Sequence, residues 1–266
     1  MSYLNLRSRE LRKKLLELSQ NSGALHLAPA FSCLEIVDSV YRELMPRFDN
    51  PKFIVSKGHG YLAQLVVLET LGQLPEDVFE KIGTDGSLFG GHPDRGQPGI
   101  IASTGSLGHG LGLAVGLSIS RVLSAKALNK INEGLTVVLI SDGELQEGST
   151  WENILNAPSL KAENLLLIID NNDMQTVGKT SITHPTLYPL QEKLVSFGWS
   201  TYSVDGHSYE ELKSHFAKVP KSFGCLAIIA STIKGKGVGF MESQSIWHYR
   251  SPNHQEFSLA LKELGF

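Results

Sequence analysis

The sequence predicts an α/β protein: a parallel sheet covered by helices on both faces. Three observations carry this reading. Thr136–Ile140, Leu165–Ile169 and Leu226–Ala230 are continuously apolar runs of strand length, as expected for strands buried on both sides. Segments with apolar residues at helical spacing separate them, which is the alternation of a parallel sheet. Each run ends in polar or glycine-rich sequence: Ser141-Asp142-Gly143, Asp170-Asn171-Asn172, and Ser231-Thr232 followed by Lys234-Gly235-Lys236-Gly237. Ligands bind such sheets at the carboxyl ends of the strands, so these turns, with the loops around His59 and His92, are the expected site.

Taken in order, Leu11, Leu15 and Leu18 recur at helical spacing and predict an amphipathic first helix. A second helix is expected from Ser32, with Glu35 completing a capping box. Its apolar face is Ile36, Val40, Tyr41 and Leu44, and Pro46 ends it. Phe53–Val55 is a short strand, and Tyr61–Leu71 a helix stopped by Gly72. Residues 83–104 are rich in Gly, Pro and Asp with little periodicity; so long a loop inside a compact domain is usually functional. A small-residue helix follows, from near Leu107 to Leu123. Gly108, Gly110, Gly112 and Gly116 weaken it, which makes sense if something approaches its backbone closely.

Glu147–Leu155 and Leu187–Phe197 read as helices, the second stopped by Gly198. Trp199–Val204 is a strand, and Ser208 with Glu211 caps a helix running to Val219. Ser251-Pro252 opens a closing helix that ends at Leu261 and Leu264. There is no linker, repeat or low-complexity tract, so residues 1–266 are expected to form one domain.

Composition excludes several classes. Hydrophobic residues make up 41% and charged residues 19% of the 266, both within globular ranges. A net charge of −3 leaves no nucleic-acid footprint. Cys33 and Cys225 lie far apart in apolar stretches and read as buried thiols of a reducing compartment, not a disulfide or a metal site. Leu4–Gln20 mixes Arg, Lys and Glu with leucines, which is no secretory pattern, and no apolar run is long enough to span a bilayer. A cytoplasmic protein without membrane contact is expected.

Asp142 and Asn172 are 30 residues apart, each just past a buried strand. Magnesium prefers hard oxygen ligands, few from protein and the rest from water and phosphate. One carboxylate and one amide oxygen suit that need. Either dipeptide alone, Asp142-Gly143 or Asn171-Asn172, is ordinary turn chemistry; together at strand ends they are more specific. His59, His92 and His248 sit in turns where a core histidine is out of place. His184, His207, His215 and His254 lack motif context and read as structural or exposed.

The Asp142–Asn172 pair resembles the motif of thiamine diphosphate enzymes, with Ser141 in place of its leading glycine. Further segments narrow the resemblance to the transketolase family. Phe53-Ile54-Val55-Ser56-Lys57-Gly58-His59 and Gly91-His92-Pro93 look like its first two histidine motifs. Ser103-Thr104-Gly105-Ser106-Leu107-Gly108-His109-Gly110 looks like the loop that meets the cofactor. Asp142–Gly148 and Trp247-His248 match in the same order, and the likeness runs from about Ser22 to Phe266.

The resemblance implies that Asp142 and Asn172 ligate a divalent cation, Mg2+ or else Ca2+ or Mn2+, with the Met174 carbonyl. It places Gly105, Ser106, Leu107, Gly143, Glu147, Asn172, Lys234 and His59 against thiamine diphosphate. His26, His59, His92 and His248 take the catalytic and substrate-hydroxyl positions. At His26 the surrounding Leu25-His26-Leu27-Ala28-Pro29 departs from the family's small residues.

The activity implied is transfer of a two-carbon ketol unit from a ketose, phosphorylated or otherwise modified, to an aldose. The family's catalytic glutamate lies in a second domain, and this chain ends at Phe266. A C-terminal transketolase subunit is therefore expected to supply it, in a heterotetramer. Other readings remain open at this point: a different thiamine-dependent carboligase or decarboxylating synthase, or a regulatory subunit without catalysis. Nicotinamide dehydrogenases and P-loop proteins are opposed by the absence of G-x-G-x-x-G at a strand–helix turn and by Ser149 where a P-loop needs lysine.

Overall fold

The computed structural model describes residues 4–21 and 25–266; Ser22, where the family likeness begins, lies outside them. Five strands, β1 (Asp49–Val55), β2 (Gly134–Ser141), β3 (Leu165–Asn171), β4 (Ser200–Asp205) and β5 (Cys225–Ser231), form one sheet in the order β1-β2-β3-β5-β4. All pairings are parallel. The register sets Ser141 level with Asp170, and Asn171 level with Ser231. One edge of the sheet therefore gathers the polar turn residues.

The continuous apolar strands are buried on both faces as expected. Val137, Leu139, Leu166, Ile168 and Ile228 pack on one side, against α1 (Leu6–Asn21), α2 (Leu27–Ser39) and α3 (Tyr61–Thr70). The single turn α4 (Val78–Lys81) follows on that side. Val138, Ile140, Leu165, Leu167 and Ile229 pack on the other, against α5 (Gly110–Ala127) and α6 (Gly148–Ser159). After the single turn α7 (Thr180–Thr183), α8 (Leu190–Ser196) completes that second face. The last two helices, α9 (Tyr209–Lys218) and α10 (His254–Leu264), return to the first. Each such side chain contributes about 1.5–3 kcal/mol on burial, which is why the pattern dominates the fold.

Four helices start three or more residues from where the sequence reading puts them. The second helix begins at Leu27, not Ser32. Pro29 fits there because first-turn amides have no helical partner. Ser32 and Glu35 are consequently mid-helix and make no capping box; the Ser32 hydroxyl reaches Asp170 and Glu35 meets Arg12. The small-residue helix begins at Gly110, because Gly105 (φ 149°) and Gly108 (φ 87°) keep the preceding turn out of helical space. The segment after α7 makes a 3-10 turn at Pro185–Leu187 and becomes α-helical only at Leu190, behind Pro189. The closing helix starts at His254, where Asn253 and Glu256 form a reciprocal capping box.

Candidate active site

A cleft of about 440 Å³ opens at the carboxyl ends of β1, β2 and β3. His26, His59, His92, His248, Gly105, Leu107, Gly143, Glu147 and Met174 all line it. Asp142, Asn172 and Lys234 lie in the layer beneath, at 0%, 9% and 2% exposure. Ser106 is exposed on the loop beside the cleft. A second cleft of about 520 Å³, past β4 and β5, contains none of the predicted site residues.

The histidines form one cluster. The ring of His26 lies 5.2 Å from that of His92 and 5.2 Å from that of His248, and His59 lies 5.3 Å from His248. A backbone carbonyl and a lysine side chain define the polarity of two of them. His26 Nδ1 donates to the His248 carbonyl at 2.8 Å, which leaves Nε2 as an acceptor. Lys234 Nζ donates to His248 Nδ1 at 2.8 Å, which leaves Nε2–H as a donor. Burial first, then neighbouring cationic and imidazole groups, hold His26 and His59 below the ordinary histidine range and His248 at about 3. These three imidazoles are therefore neutral near pH 7. Tyr249 stacks on His26 at 4.6 Å.

The loop carrying His92 is held from behind. Buried Gln97 accepts from Tyr61 Oη at 2.8 Å and from the Asp94 amide at 3.0 Å, and donates to the Leu88 carbonyl at 2.8 Å. Its neighbour across the cleft is the turn after β1. A Cβ on Gly58 would stand 2.8 Å from the Gly105 backbone, and one on Gly105 would stand 3.1 Å from His92. The glycines allow these segments to meet.

The start of α5 is tied down by Glu144. Its Oε1 accepts from Ser56 Oγ and from the Gly108 amide, the latter at 2.9 Å; Ser56 Oγ accepts from the Gly110 amide at 3.1 Å. A Cβ on Gly110 would collide with Ser56 Oγ, and one on Gly108 with Ser149 Oγ. The intrinsic cost of glycine here is offset by that close approach. Glu144 Oε2 is buried with no partner, and burial pushes the carboxyl up to about 7.

Beneath the cleft, Asp142 accepts from Thr180 Oγ1 and from its neighbouring Gly143 amide, both at 2.9 Å. Burial, then the Asp170 carboxylate, push Asp142 up to about 7. Asn172 Oδ1 accepts from the Met174 amide at 2.9 Å. Asp170 is differently served: Lys57 pairs with it, and Ser32 and Thr232 donate to it. The residues fit a divalent cation. Asp142 is a buried carboxylate that accepts from a hydroxyl and an amide and makes no ion pair among the described residues, and the turn after the adjacent strand offers the Asn172 amide oxygen and the Met174 carbonyl. Such hard oxygens suit Mg2+, with the remaining positions left to phosphate and water. Among the described residues no three His, Cys, Asp or Glu side chains are grouped so as to hold a metal ion.

Glu144, Asp170, Lys57, Ser32, Thr180 and Gln97 were given no site role from sequence. Lys57, Asp170 and Glu144 each stand within three residues of a strand end, next to a predicted residue; that proximity was the available signal.

A parallel α/β domain with glycine turns, hard oxygens and a histidine cluster at its strand ends defines a class of cofactor-binding domain. Comparison with known proteins specifies it further. The family model "Transketolase, thiamine diphosphate binding domain" matches residues 24–266, and the chain belongs to the transketolase family. An apulose-4-phosphate transketolase subunit from Phocaeicola vulgatus is 34% identical, over 98% of this chain and 94% of its own length. A 6-deoxy-6-sulfo-D-fructose transketolase subunit from a Clostridium species is 32% identical, over 96% and 93%. The structure of Leishmania mexicana transketolase superposes with a TM-score of 0.86 at 25% identity, over 97% of this chain and 40% of that one. This chain thus matches relatives named as transketolase subunits along nearly their whole length, and less than half of the longer transketolases. Its sheet is the fold of their thiamine diphosphate-binding domain.

Proposed function

We propose that this chain is the thiamine diphosphate-binding subunit of a two-subunit transketolase, transferring a two-carbon ketol unit from a ketose to an aldose. The observation that carries it is the convergence of His26, His59, His92 and His248 with the Gly105 loop and the Asp142–Asn172 pair at one cleft. When bound, the cofactor supplies the nucleophilic carbon for breaking and forming the carbon–carbon bond. The chain supplies the rest. Asp142, Asn172 and the Met174 carbonyl hold the cation, Mg2+ by donor type. Lys234, Gly143 and the Gly105-Ser106-Leu107 turn would hold the diphosphate and ring, and Glu147 would stand on the side toward the partner.

Sugar hydroxyls need partners of both senses. His26 offers an acceptor and His248 a donor, so one hydroxyl pair is oriented between them. His59 and His92 complete the set. Neutral His26, with Nε2 free to accept, can take a proton from a hydroxyl as its carbonyl forms and return it afterwards, while His248 orients the hydroxyl's oxygen.

The relatives' names point to a modified pentulose phosphate or a sulfonated sugar as donor. A C-terminal subunit supplies the catalytic glutamate, in a cytoplasmic heterotetramer. Exposed apolar residues support a missing partner: Val177 at the cleft is 81% exposed, and Leu113 on α5, next to the glycine turn, 48%. No described helix is long and apolar enough to cross a membrane. The test is a coupled ketol-transfer assay with Mg2+ and saturating thiamine diphosphate. The purified chain should be inactive, and activity should appear on adding its partner. Turnover by the chain alone, with no second polypeptide on a gel, would refute the two-subunit reading.

A further inference from the structure

Arg12 of α1 and Glu35 of α2 are fully buried and form a two-pronged ion pair, Nη1–Oε1 2.5 Å and Nη2–Oε2 3.1 Å. Burying such a pair gains little stability over apolar residues of the same volume, so the pair points to a role in specifying structure. Ser8 and the Phe31 carbonyl complete the pair within α1 and α2, and its two contacts outside them show what is specified. Arg12 Nε donates to the Lys236 carbonyl at 2.7 Å. His207, in the turn after β4, places Nδ1 2.9 Å from Glu35 Oε2 and Nε2 2.8 Å from the Ile233 amide. A ring nitrogen that accepts from an amide carries no proton, so Nδ1–H donates to Glu35. Glu35 therefore joins two arms, one ending at residue 233 and the other at residue 236.

Lys234 lies between the two arms. A third bond, from the Gly235 amide to the Ala28 carbonyl at 3.0 Å, fixes the middle of the segment. Gly237 lets Arg12 pass: a Cβ there would stand 3.2 Å from Arg12 Cδ and 2.6 Å from Leu4. Held this way, Lys234 is 2% exposed and brings Nζ to 2.8 Å from His248 Nδ1.

We propose that Arg12, Glu35 and His207 form a positioning clamp for Lys234, and through it for His248. None of the three lines the candidate active-site cleft. They act by fixing where the Lys234 ammonium stands. The significance of that position for diphosphate binding rests on the function proposed above; the clamp itself does not.

His207 is the residue to change, because its side chain is 8% exposed at the edge of the fold and the chain should tolerate its loss. His207→Ala removes one arm. His207→Gln restores it, since its carbonyl can accept from the Ile233 amide and its amide can donate to Glu35. Limited trypsin digestion followed by mass spectrometry reports the segment directly through cleavage after Lys234 and Lys236. The Ala variant should be cut there about tenfold faster than the parent, the worth of one lost hydrogen bond, while the Gln variant stays protected. Calorimetry with magnesium thiamine diphosphate on the chain with its partner should show about tenfold weaker binding for Ala, restored in Gln, with the melting midpoint lowered by no more than about 2–4 °C.

An Ala variant that resists trypsin and binds like the parent would overturn the clamp. So would a Gln variant as labile as Ala, or cleavage throughout the chain with a midpoint lowered by more than about 4 °C. If Ala is cut faster at these sites but the parent binds no thiamine diphosphate, the clamp stands and the proposed function falls.

Discussion

At the end of β2, Asp142 and Glu144 are buried carboxyls that burial pushes up to about 7. Around α1, α2 and the turn after β4, Glu35 is just as buried, yet its carboxyl is held down at about 2. There burial works against the charge, and Arg12 and His207 outweigh it. The two regions differ in completion, not in depth. On the Asp142 side, hydroxyls and amides face the acids and no cationic side chain pairs with them, which suits a surface shaped for a charged ligand. On the Glu35 side the charges are matched within the chain, which suits a scaffold that must not move. Buried charge thus marks a binding surface or a brace according to whether its counter-charge is built in.

The contrast can be broken most forcefully on the braced side. Arg12→Ala leaves Glu35 buried and unpaired and should cost about 3–5 kcal/mol of stability, measured by denaturant unfolding. On the open side the same kind of change should leave stability alone. Asp142→Asn should weaken metal-dependent thiamine diphosphate binding by at least about 100-fold, since loss of even an outer partner of a metal ligand costs about 10–100-fold. Its melting temperature without cofactor should be unchanged or raised, because an uncompensated carboxylate is removed. Unchanged affinity by calorimetry would end the metal assignment; a large fall in the melt would place Asp142 with the brace.

The histidines sharpen the comparison further. His92→Ala and His248→Ala should lower ketol-transfer turnover by about 100-fold, the lower end for a lost proton-transfer group. Little packing is lost, so the melt should stay within about a degree, as for substitutions away from the core. A variant that loses several degrees and keeps its rate would mark a structural residue.

The smallest effect is protonic. Burial first, then Lys57, bring Lys234 down from its ordinary value to about 8. A diphosphate favours the ammonium form, so binding raises that pKa and takes up a proton when it occurs above pH 8. Affinity should hold between pH 7 and 8 and then fall by up to about tenfold per pH unit. Calorimetry in buffers of different ionisation enthalpy would measure the proton, and Lys234→Met should abolish the uptake.

The strands, both sheet faces and the turns that form the site followed from the sequence, because apolar period and turn chemistry are set by neighbours along the chain. The grouping of Asp142 with Asn172 followed too, since each stands directly after a strand. Ser32 and Glu35 show where this kind of reading stops. Their spacing matches a capping box, but the polar groups they meet are Asp170, Arg12 and His207, brought in by the packing of α1 and α2 and the adjacency of β3 and β5. His207, read as structural or exposed for lack of a motif, is bound to a carboxylate 172 positions earlier, and Arg12 to a carbonyl 224 positions later. Local sequence determined which segments are strands, helices and ligand-facing turns. Tertiary structure decided which buried charges are matched and which wait for a ligand, because a charge is matched by whatever the fold sets beside it, and sequence spacing does not encode that.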